Sequence, residues 1–354
     1  MTVLFTDPHF GGKRAANTTP ASRARMQDNV FTTVEQIIGS THLEEPIICL
    51  GDLFDSYSNS EMTLIRSLPI VKRLKVCLAG NHDLVNDNVK TGSLELLRQL
   101  KDCKDTYFSY VHFEEIGFNV THVDNTTYFS IPHISDQAKF EQALGQVRDA
   151  AARADDTVRY KYLLLHCNYD NPFCDETSLN LTKENTEELL QVFDTIVLGH
   201  EHSHRVDFGG RLVVLGNTYP TAFGDICDKF TMWVNDTTGE YQLNWHWRAN
   251  THYWEVDWKE AYGTSIEPDE WKDIEYVKIT GEVAPSDTKQ FSVLIKSLWS
   301  LLPNVCAIKS EVQFEGVTAA NLEKGSLDRL PEIIAKELAG TEFEELWKEL
   351  SNVN

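Results

Sequence analysis

Five short apolar runs, each leading into a block of glycine, carboxylate, amide or imidazole, constrain this chain more than any other feature. Residues 3–6, 46–50, 75–78, 162–165 and 195–198 are rich in Val, Ile, Leu and Cys without strict alternation. That is the pattern of strands covered on both faces. The blocks that follow are Asp7-Pro8-His9, Gly51-Asp52-Leu53-Phe54-Asp55, Gly80-Asn81-His82-Asp83, Leu165-His166 and Gly199-His200-Glu201-His202. A sixth run, 211–215, reads the same way. Helix candidates alternate with the runs, which predicts a layered α/β core with the blocks at the C-terminal strand ends, where ligands gather. Asp7, His9, Asp52, Asn81, His82, His166, His200 and His202 mix hard oxygen donors with imidazoles, a set suited to Mn²⁺ or a similar divalent ion.

The helix candidate at 20–38 puts Met26, Val30, Val34, Ile37 and Ile38 on one face, with Thr19 as cap, Pro20 as first residue and Gly39 as stop. Candidates at 135–154 and 182–193 are capped by Ser135 and Thr182. From 230 the texture changes. Residues 230–235 and 241–247 flank Thr237-Thr238-Gly239 and read as a hairpin. Residues 254–273 read as a linker. A strand–helix–strand unit follows: 276–282, then 288–302 opened by Asp287 and Gln290 and stopped by Pro303, then 305–315. The tail carries two apolar stripes, Leu327, Leu330, Ile333, Ile334 and Leu338, then Phe343, Leu346, Trp347 and Leu350. The expected division is 1–253, 274–316 and 325–354.

The net charge of −22 opposes general nucleic-acid binding, which needs Lys and Arg to neutralise phosphates. The charge is uneven. Lys13, Arg14, Arg23 and Arg25 make the loop after the first block locally basic, whereas acidic residues outnumber basic ones twofold from 254 onward. Seven cysteines, none in a Cys-x-x-Cys pair, read as reduced thiols, and Cys167 beside His166 reads as packing rather than as a nucleophile. A candidate ligand at position 7 leaves no room for a signal peptide, and no apolar stretch has the roughly 18 residues of a membrane span. The expectation is a cytoplasmic protein, in a host cytoplasm if phage-encoded.

Phosphoesters hydrolyse slowly because the anion repels nucleophiles and the alkoxide leaves poorly. Two divalent ions answer both problems, provided a carboxylate is shared between them, and Asp52 suits that role. The five blocks, in order, resemble the calcineurin-like metallophosphoesterase pattern D-x-H, G-D-x-x-D, G-N-H-D/E, H and G-H-x-H. The resemblance implies a β-sandwich flanked by helices. It also implies Asp7, His9, Asp52 and His202 on one metal, and Asp52, Asn81, His166 and His200 on the other. His82 is then the general acid, oriented by Asp83, and Asp55 sits behind the ligands. His112, His122, His133 and His204 are read as ordinary satisfied polar residues.

Protein Ser/Thr phosphatases of this superfamily carry G-D-x-x-D-R-G and G-N-H-E. Here Asp55 precedes Ser56-Tyr57, and the third block ends in Asp83. The chain is more similar to SbcD-type DNA repair nucleases and their phage relatives. Gly51-Asp52-Leu53-Phe54, the turn Leu215-Gly216-Asn217-Thr218-Tyr219-Pro220 with Phe223-Gly224-Asp225, and the strand–helix–strand unit as a capping domain carry that resemblance. Asp55 departs from it, since many members have His there. The resemblance implies a Mn²⁺-dependent exonuclease on duplex ends and endonuclease on single strands, with Mg²⁺ or another divalent ion as a substitute. It implies an SbcC-like coiled-coil ATPase partner in a heterotetramer built on a homodimer, and the stripe Phe343, Leu346, Trp347 and Leu350 docks either on that partner or on the protein's own core. DNA phosphates would meet Lys13, Arg14, Arg23 and Arg25. The alternatives are a small-molecule or nucleotide phosphodiesterase of the same superfamily and an inactive scaffold.

Overall fold

The computed structural model describes residues 1–12, 19–84, 92–100, 107–109, 117–154, 159–173, 179–264 and 271–314. The chain first lays down β1 (Thr2–Phe5), β2 (Ile47–Cys49), β3 (Val76–Leu78) and β4 (Tyr107–Ser109). It then crosses to β5 (Asn119–Val123), β6 (Thr126–Ile131), β7 (Tyr160–His166), the short pair β8 (Asn168–Tyr169) and β9 (Asn180–Leu181), and β10 (Thr195–Gly199). After β11 (Arg205–Asp207) and β12 (Leu212–Val214) it returns as the hairpin β13 (Lys229–Val234) and β14 (Tyr241–Trp247). Two six-stranded sheets result, ordered β14-β13-β1-β2-β3-β4 and β11-β12-β10-β7-β6-β5. β1 to β4 run parallel, as do β6, β7, β10 and β12; β13 is antiparallel between β1 and β14, and β11 and β5 are antiparallel at the edges of the second sheet.

Inner-facing Leu4, Ile48, Leu50, Tyr162, Leu164, Val197 and Val213 form one buried cluster between the sheets. Outer-facing Phe5, Ile47, Cys49 and Cys77 pack with α1 (Pro20–Gly39), α2 (Glu61–Val71) and α3 (Ser93–Gln99). Leu163, Leu165, Ile196 and Leu198 pack with α4 (Gln137–Ala152) and α5 (Lys183–Leu189). Both faces of each central strand are therefore dry, which is why the runs do not alternate. Each such aliphatic contributes about 1.5–3 kcal/mol by burial, enough to hold polar blocks at the strand ends in costly conformations. The architecture is the helix-flanked sandwich expected.

Several local readings need correction. α1 has the expected Thr19 cap, whose hydroxyl accepts from Ser22 N at 3.1 Å. Gly39 is not a left-handed stop, however. It ends the helix, and Ser40 caps it in a right-handed conformation with its hydroxyl on Ile37 O. Asp136, not Ser135, caps α4, accepting from Lys139 N at 3.0 Å. α2 and α3 are helices the periodicity did not anticipate. α2 carries Pro69 inside it and exposes Met62 and Ile65 to solvent, which blurs its apolar stripe.

By compactness the described fold divides into two units. Among the described residues, the first holds those of Met1–Trp254, Asp273–Tyr276 and Asn304–Ile308, and the second those of Glu255–Lys272, Val277–Pro303 and 309–314. Beyond α6 (Ala249–His252), β15 (Tyr253–Asp257), β16 (Tyr276–Thr280) and β18 (Ala307–Ser310) form a three-stranded sheet, while β17 (Glu282–Val283) pairs with β19 (Gln313–Phe314). The 254–273 stretch is thus not a plain linker: it supplies most of β15 and all of α7 (Trp258–Gly263). Buried Trp258 explains this, since its ring meets Phe291 of α8 (Thr288–Leu301) edge-on at 6.1 Å and its Nε1 donates to Glu282 O at 2.8 Å. The tail segment 325–354, with Phe343, Leu346, Trp347 and Leu350, lies outside the described residues.

Candidate metal centre

All five blocks meet at one end of the sandwich, in the first unit, because the parallel strands β1, β2, β3, β7 and β10 point the same way in their sheets. The backbone there is unusual. Asp7, His9, Asp52 and His200 all have positive φ, at 52°, 49°, 47° and 91°. For residues with a Cβ this costs about 1–2 kcal/mol each, and such strain persists only where the surroundings enforce it. Here the enforcement is a ladder beyond the strands: Asp7 N donates to Gly51 O and His9 N to Asp52 O, both at 3.1 Å. Two glycines make room. A Cβ on Gly51 would lie 2.3 Å from His166 Nδ1, and one on Gly80 would lie 2.1 Å from Asp52 Oδ1.

The donor atoms gather into Asp7, His9 and His202 on one side and Asp52, His166 and His200 on the other. His9 Nε2 is 3.0 Å from His202 Nε2. Asn81 Oδ1 is 3.2 Å from His166 Nε2 and 2.9 Å from His200 Nδ1. Asp52 Oδ2 faces both groups, 3.8 Å from His9 Nε2 and 3.5 Å from His166 Nε2. Two of the rings have their tautomers set from behind. His166 Nδ1 faces Leu50 O at 2.8 Å, and a carbonyl only accepts, so in the neutral ring Nε2 carries the lone pair into the site. His202 Nδ1 faces Asp225 Oδ2 at 3.2 Å, which likewise turns its Nε2 inward.

The electrostatics suit a cation. Burial opposes charge on Asp52, yet His166 and the other imidazoles hold its carboxyl far below the usual range. Burial also opposes charge on His166, but Asp52 outweighs it and raises the imidazole to about 10. Asp52 thus favours a positive neighbour, whether a proton on His166 or a metal ion. For His200, burial followed by His166 outweighs Asp7 and Asp52 and lowers it to about 4. Asp7 Oδ1 is buried with no hydrogen-bond partner among the described residues. An unpaired buried carboxylate oxygen is costly, and imidazole lone pairs 3.0 Å apart repel unless a proton or cation lies between them. The donor set therefore fits divalent metal ions.

The surrounding carboxylates have distinct tasks. Asp83 accepts from Gly80 N, Leu53 N and Phe54 N at 3.0, 3.2 and 3.0 Å, so it clamps the second and third blocks together. Burial and then Asp52 push it up to about 8. The expected orientation of His82 comes instead from Asp55, whose backbone oxygen is 3.0 Å from His82 Nδ1. The Asp55 carboxylate faces His9 Nδ1 at 3.6 Å. Asp225, which the sequence marked only as an acidic position, accepts from His202, Asn217 Nδ2 and Thr221 N, and despite burial the bonds from His202 and Thr221 hold it at about 2. Its link to His202 spans 23 residues, across β11 and β12, a separation at which no periodicity signals it. Fully buried Lys229 was also missed, and its Nζ donates to His202 O at 3.0 Å.

Of the basic loop, Lys13 and Arg14 lie outside the described residues. Arg23 is exposed, and Arg25 commits one nitrogen to Val305 O at 2.6 Å. Cys167 is buried. His112 lies outside the described residues, while His122 pairs with Thr127 Oγ1 at 2.9 Å. His133 and His204 are not fully satisfied, since each keeps a buried Nδ1 with no hydrogen-bond partner among the described residues. No described helix is long and apolar enough to cross a membrane.

The family model for calcineurin-like phosphoesterases matches residues 2–204, which takes in all five blocks. A search of curated proteins finds no match. Among solved structures, the chain is similar to a dimetal phosphatase from Danio rerio (TM-score 0.43, 12% identity, covering 70% of this chain and 96% of that one). It is similar also to the purple acid phosphatase PPD1 of yellow lupin (TM-score 0.40, 12% identity, 68% and 52%) and to the phosphoesterase YfkN of Bacillus subtilis (TM-score 0.34, 13% identity, 68% and 87%).

Proposed function

Since the chain belongs to the calcineurin-like phosphoesterase family, whose members are metal-dependent hydrolases, we propose that it is a Mn²⁺-dependent DNA phosphodiesterase, the nuclease subunit of a repair or recombination complex. The observation that carries the hydrolytic part is Asp52 Oδ2, turned toward both donor groups at once. Asp7, His9, Asp52 and His202 would hold one ion, and Asp52, Asn81, His166 and His200 the other. Ions bound there supply an acidified water and neutralise the phosphate oxygens. The chain does the rest. Leu50 O and Asp225 fix the tautomers of His166 and His202, and Asp83 keeps the second and third blocks in register. With His82 Nδ1 donating to Asp55 O, the proton for the leaving alkoxide comes from Nε2.

DNA as substrate is supported by the segment that most resembles the SbcD-type enzymes. That segment folds directly onto the centre: Asn217 Nδ2 donates to Asp225 Oδ2 at 2.9 Å, and Thr218 Oγ1 to Thr6 O at 2.6 Å. An SbcC-like ATPase would supply the positive surface that this acidic chain lacks. The test incubates the protein with Mn²⁺ and end-labelled duplex, single-stranded DNA and a nitrophenyl phosphodiester, with and without the coiled-coil ATPase. Processing of both DNA forms is expected. Hydrolysis of the small ester alone, under every condition, would leave a small-substrate phosphodiesterase.

A further inference from the structure

A ladder of rings leads away from the metal centre to the edge of the first sheet. His204, two residues past His202, packs on Phe230 with ring centroids 4.4 Å apart. Phe230 meets its cross-strand partner Trp245 at 5.8 Å, and the Arg248 guanidinium lies over the Trp245 ring at 4.4 Å. The antiparallel register Leu4–Met232 places Phe230 level with Thr6, at the site end of the sandwich. Lys229, one residue earlier, reaches His202 O. Exposure rises along the ladder: Phe230 is half-buried, Arg248 is exposed, and Trp245 on the edge strand is 55% exposed.

A cross-strand aromatic pair is ordinary sheet stabilisation and explains Phe230. It does not explain a tryptophan left mostly in water under an arginine. A single-stranded nucleic acid would use such a pair, because bases stack on indole and guanidinium planes whatever their sequence. A chain with a net charge of −22 is poorly placed to hold a strand by its phosphates alone, so gripping bases by their faces is the available mode. We propose that Trp245 and Arg248 form a stacking platform for an unpaired base of the strand whose phosphodiester lies at the metal centre. This rests on the nucleic-acid reading above, and narrows it to a single strand that leaves the site past His204 and Phe230.

The test measures binding of a fluorescent thymidine oligomer by anisotropy in EDTA, so that nothing is cut, and beside it Mn²⁺-dependent hydrolysis of the nitrophenyl diester. Trp245→Ala should weaken oligomer binding about tenfold, the scale of losing one stacked base, with ester hydrolysis unchanged. Trp245→Phe should stay within about threefold of the parent. An abasic oligomer of equal length should bind the parent protein as weakly as the thymidine oligomer binds Trp245→Ala. Equal binding by parent and Trp245→Ala, absence of binding by both included, overturns the platform. So does a loss of ester hydrolysis in Trp245→Ala to the same degree as oligomer binding, which would mark a purely structural residue. The two readings fail separately. Trp245-dependent binding without DNA cleavage removes the nuclease and keeps the platform, whereas cleavage indifferent to Trp245 does the opposite.

Discussion

Strand β1 starts at Thr2 and delivers Asp7 just past its other end, and the buried carboxylates met at those two ends keep different company. At the far end, Asp236 Oδ1 accepts from Thr2 Oγ1 at 2.9 Å and Tyr128 Oη at 2.6 Å, while its backbone oxygen takes Thr126 Oγ1. Neutral hydroxyls satisfy that oxygen, while Oδ2, buried and without a hydrogen bond among the described residues, faces the ammonium of Met1 at 3.5 Å. At the site end, Asp7 Oδ1 has no hydrogen-bond partner among the described residues, and Asp52 faces imidazoles. Asp7, His9, Asp52 and His200 also carry left-handed backbone there. A buried carboxylate is therefore not in itself a sign of function in this fold. Each end keeps one carboxylate oxygen without a hydrogen bond, and what separates them is the company: hydroxyls and an ammonium face Asp236, whereas left-handed backbone and imidazoles gather around Asp7 and Asp52.

Substitution at Asp52 should give the largest contrast. Asp52→Asn removes the charge facing both donor groups, so metal content should fall and phosphodiester turnover should drop at least about a thousandfold, about 4 kcal/mol of barrier. Its melting temperature should hold or rise, because an active-site charge is kept at a cost in stability. Asp236→Asn should lower the melting temperature and leave turnover alone. Metal analysis, steady-state kinetics and thermal melts on the pair decide it, and an inactive Asp236→Asn protein would break the comparison. His82→Ala comes next, with a loss of about 10²–10⁴ in kcat at unchanged metal content. Loss of metal in that variant would instead make His82 a ligand. Asp225→Asn should act through His202, weakening metal affinity about 10–100-fold. Added Mn²⁺ should then restore turnover, and a kcat deficit that persists at saturating metal would put Asp225 in a different role.

The same contrast explains what was legible in the sequence. The five blocks are local: each ligand lies within a few residues of an apolar run, and short strands between two dry layers read as unbroken hydrophobic stretches. The supporting contacts are not local. Asp225 meets His202, and Asp83 meets Leu53 and Phe54, only after folding, so the sequence suggested that Asp83 orients the neighbouring His82. The hairpin of β5 and β6 stayed hidden for another reason. Fully buried β6 contains Thr126, Thr127 and Ser130, polar residues that periodicity counts as surface, although Thr126 Oγ1 donates to Asp236 O and Thr127 Oγ1 pairs with His122. Trp258 misled similarly, since a tryptophan amid acidic residues read as weak patterning before Glu282 O and Phe291 gave it partners.

Tyr128→Phe should have the smallest effect, and it probes the far end alone. It removes one of two hydroxyls from Asp236 Oδ1, a loss of about 1 kcal/mol, with ester turnover and metal content unchanged. The pH dependence sharpens it. Burial raises the Asp236 carboxyl above its ordinary value while the Tyr128 and Thr2 hydroxyls pull it down. A folded pKa above the unfolded one makes a contribution that is fully present in acid and lost as pH rises through the folded pKa. Without the Tyr128 hydroxyl the folded pKa rises further. The melting-temperature deficit of Tyr128→Phe should therefore be small in acid, where both states are protonated, and grow as pH climbs past the carboxylate range. A deficit that is flat with pH would mean that Tyr128 acts on Asp236 by packing, and that hydroxyl donation is not what holds Asp236 Oδ1.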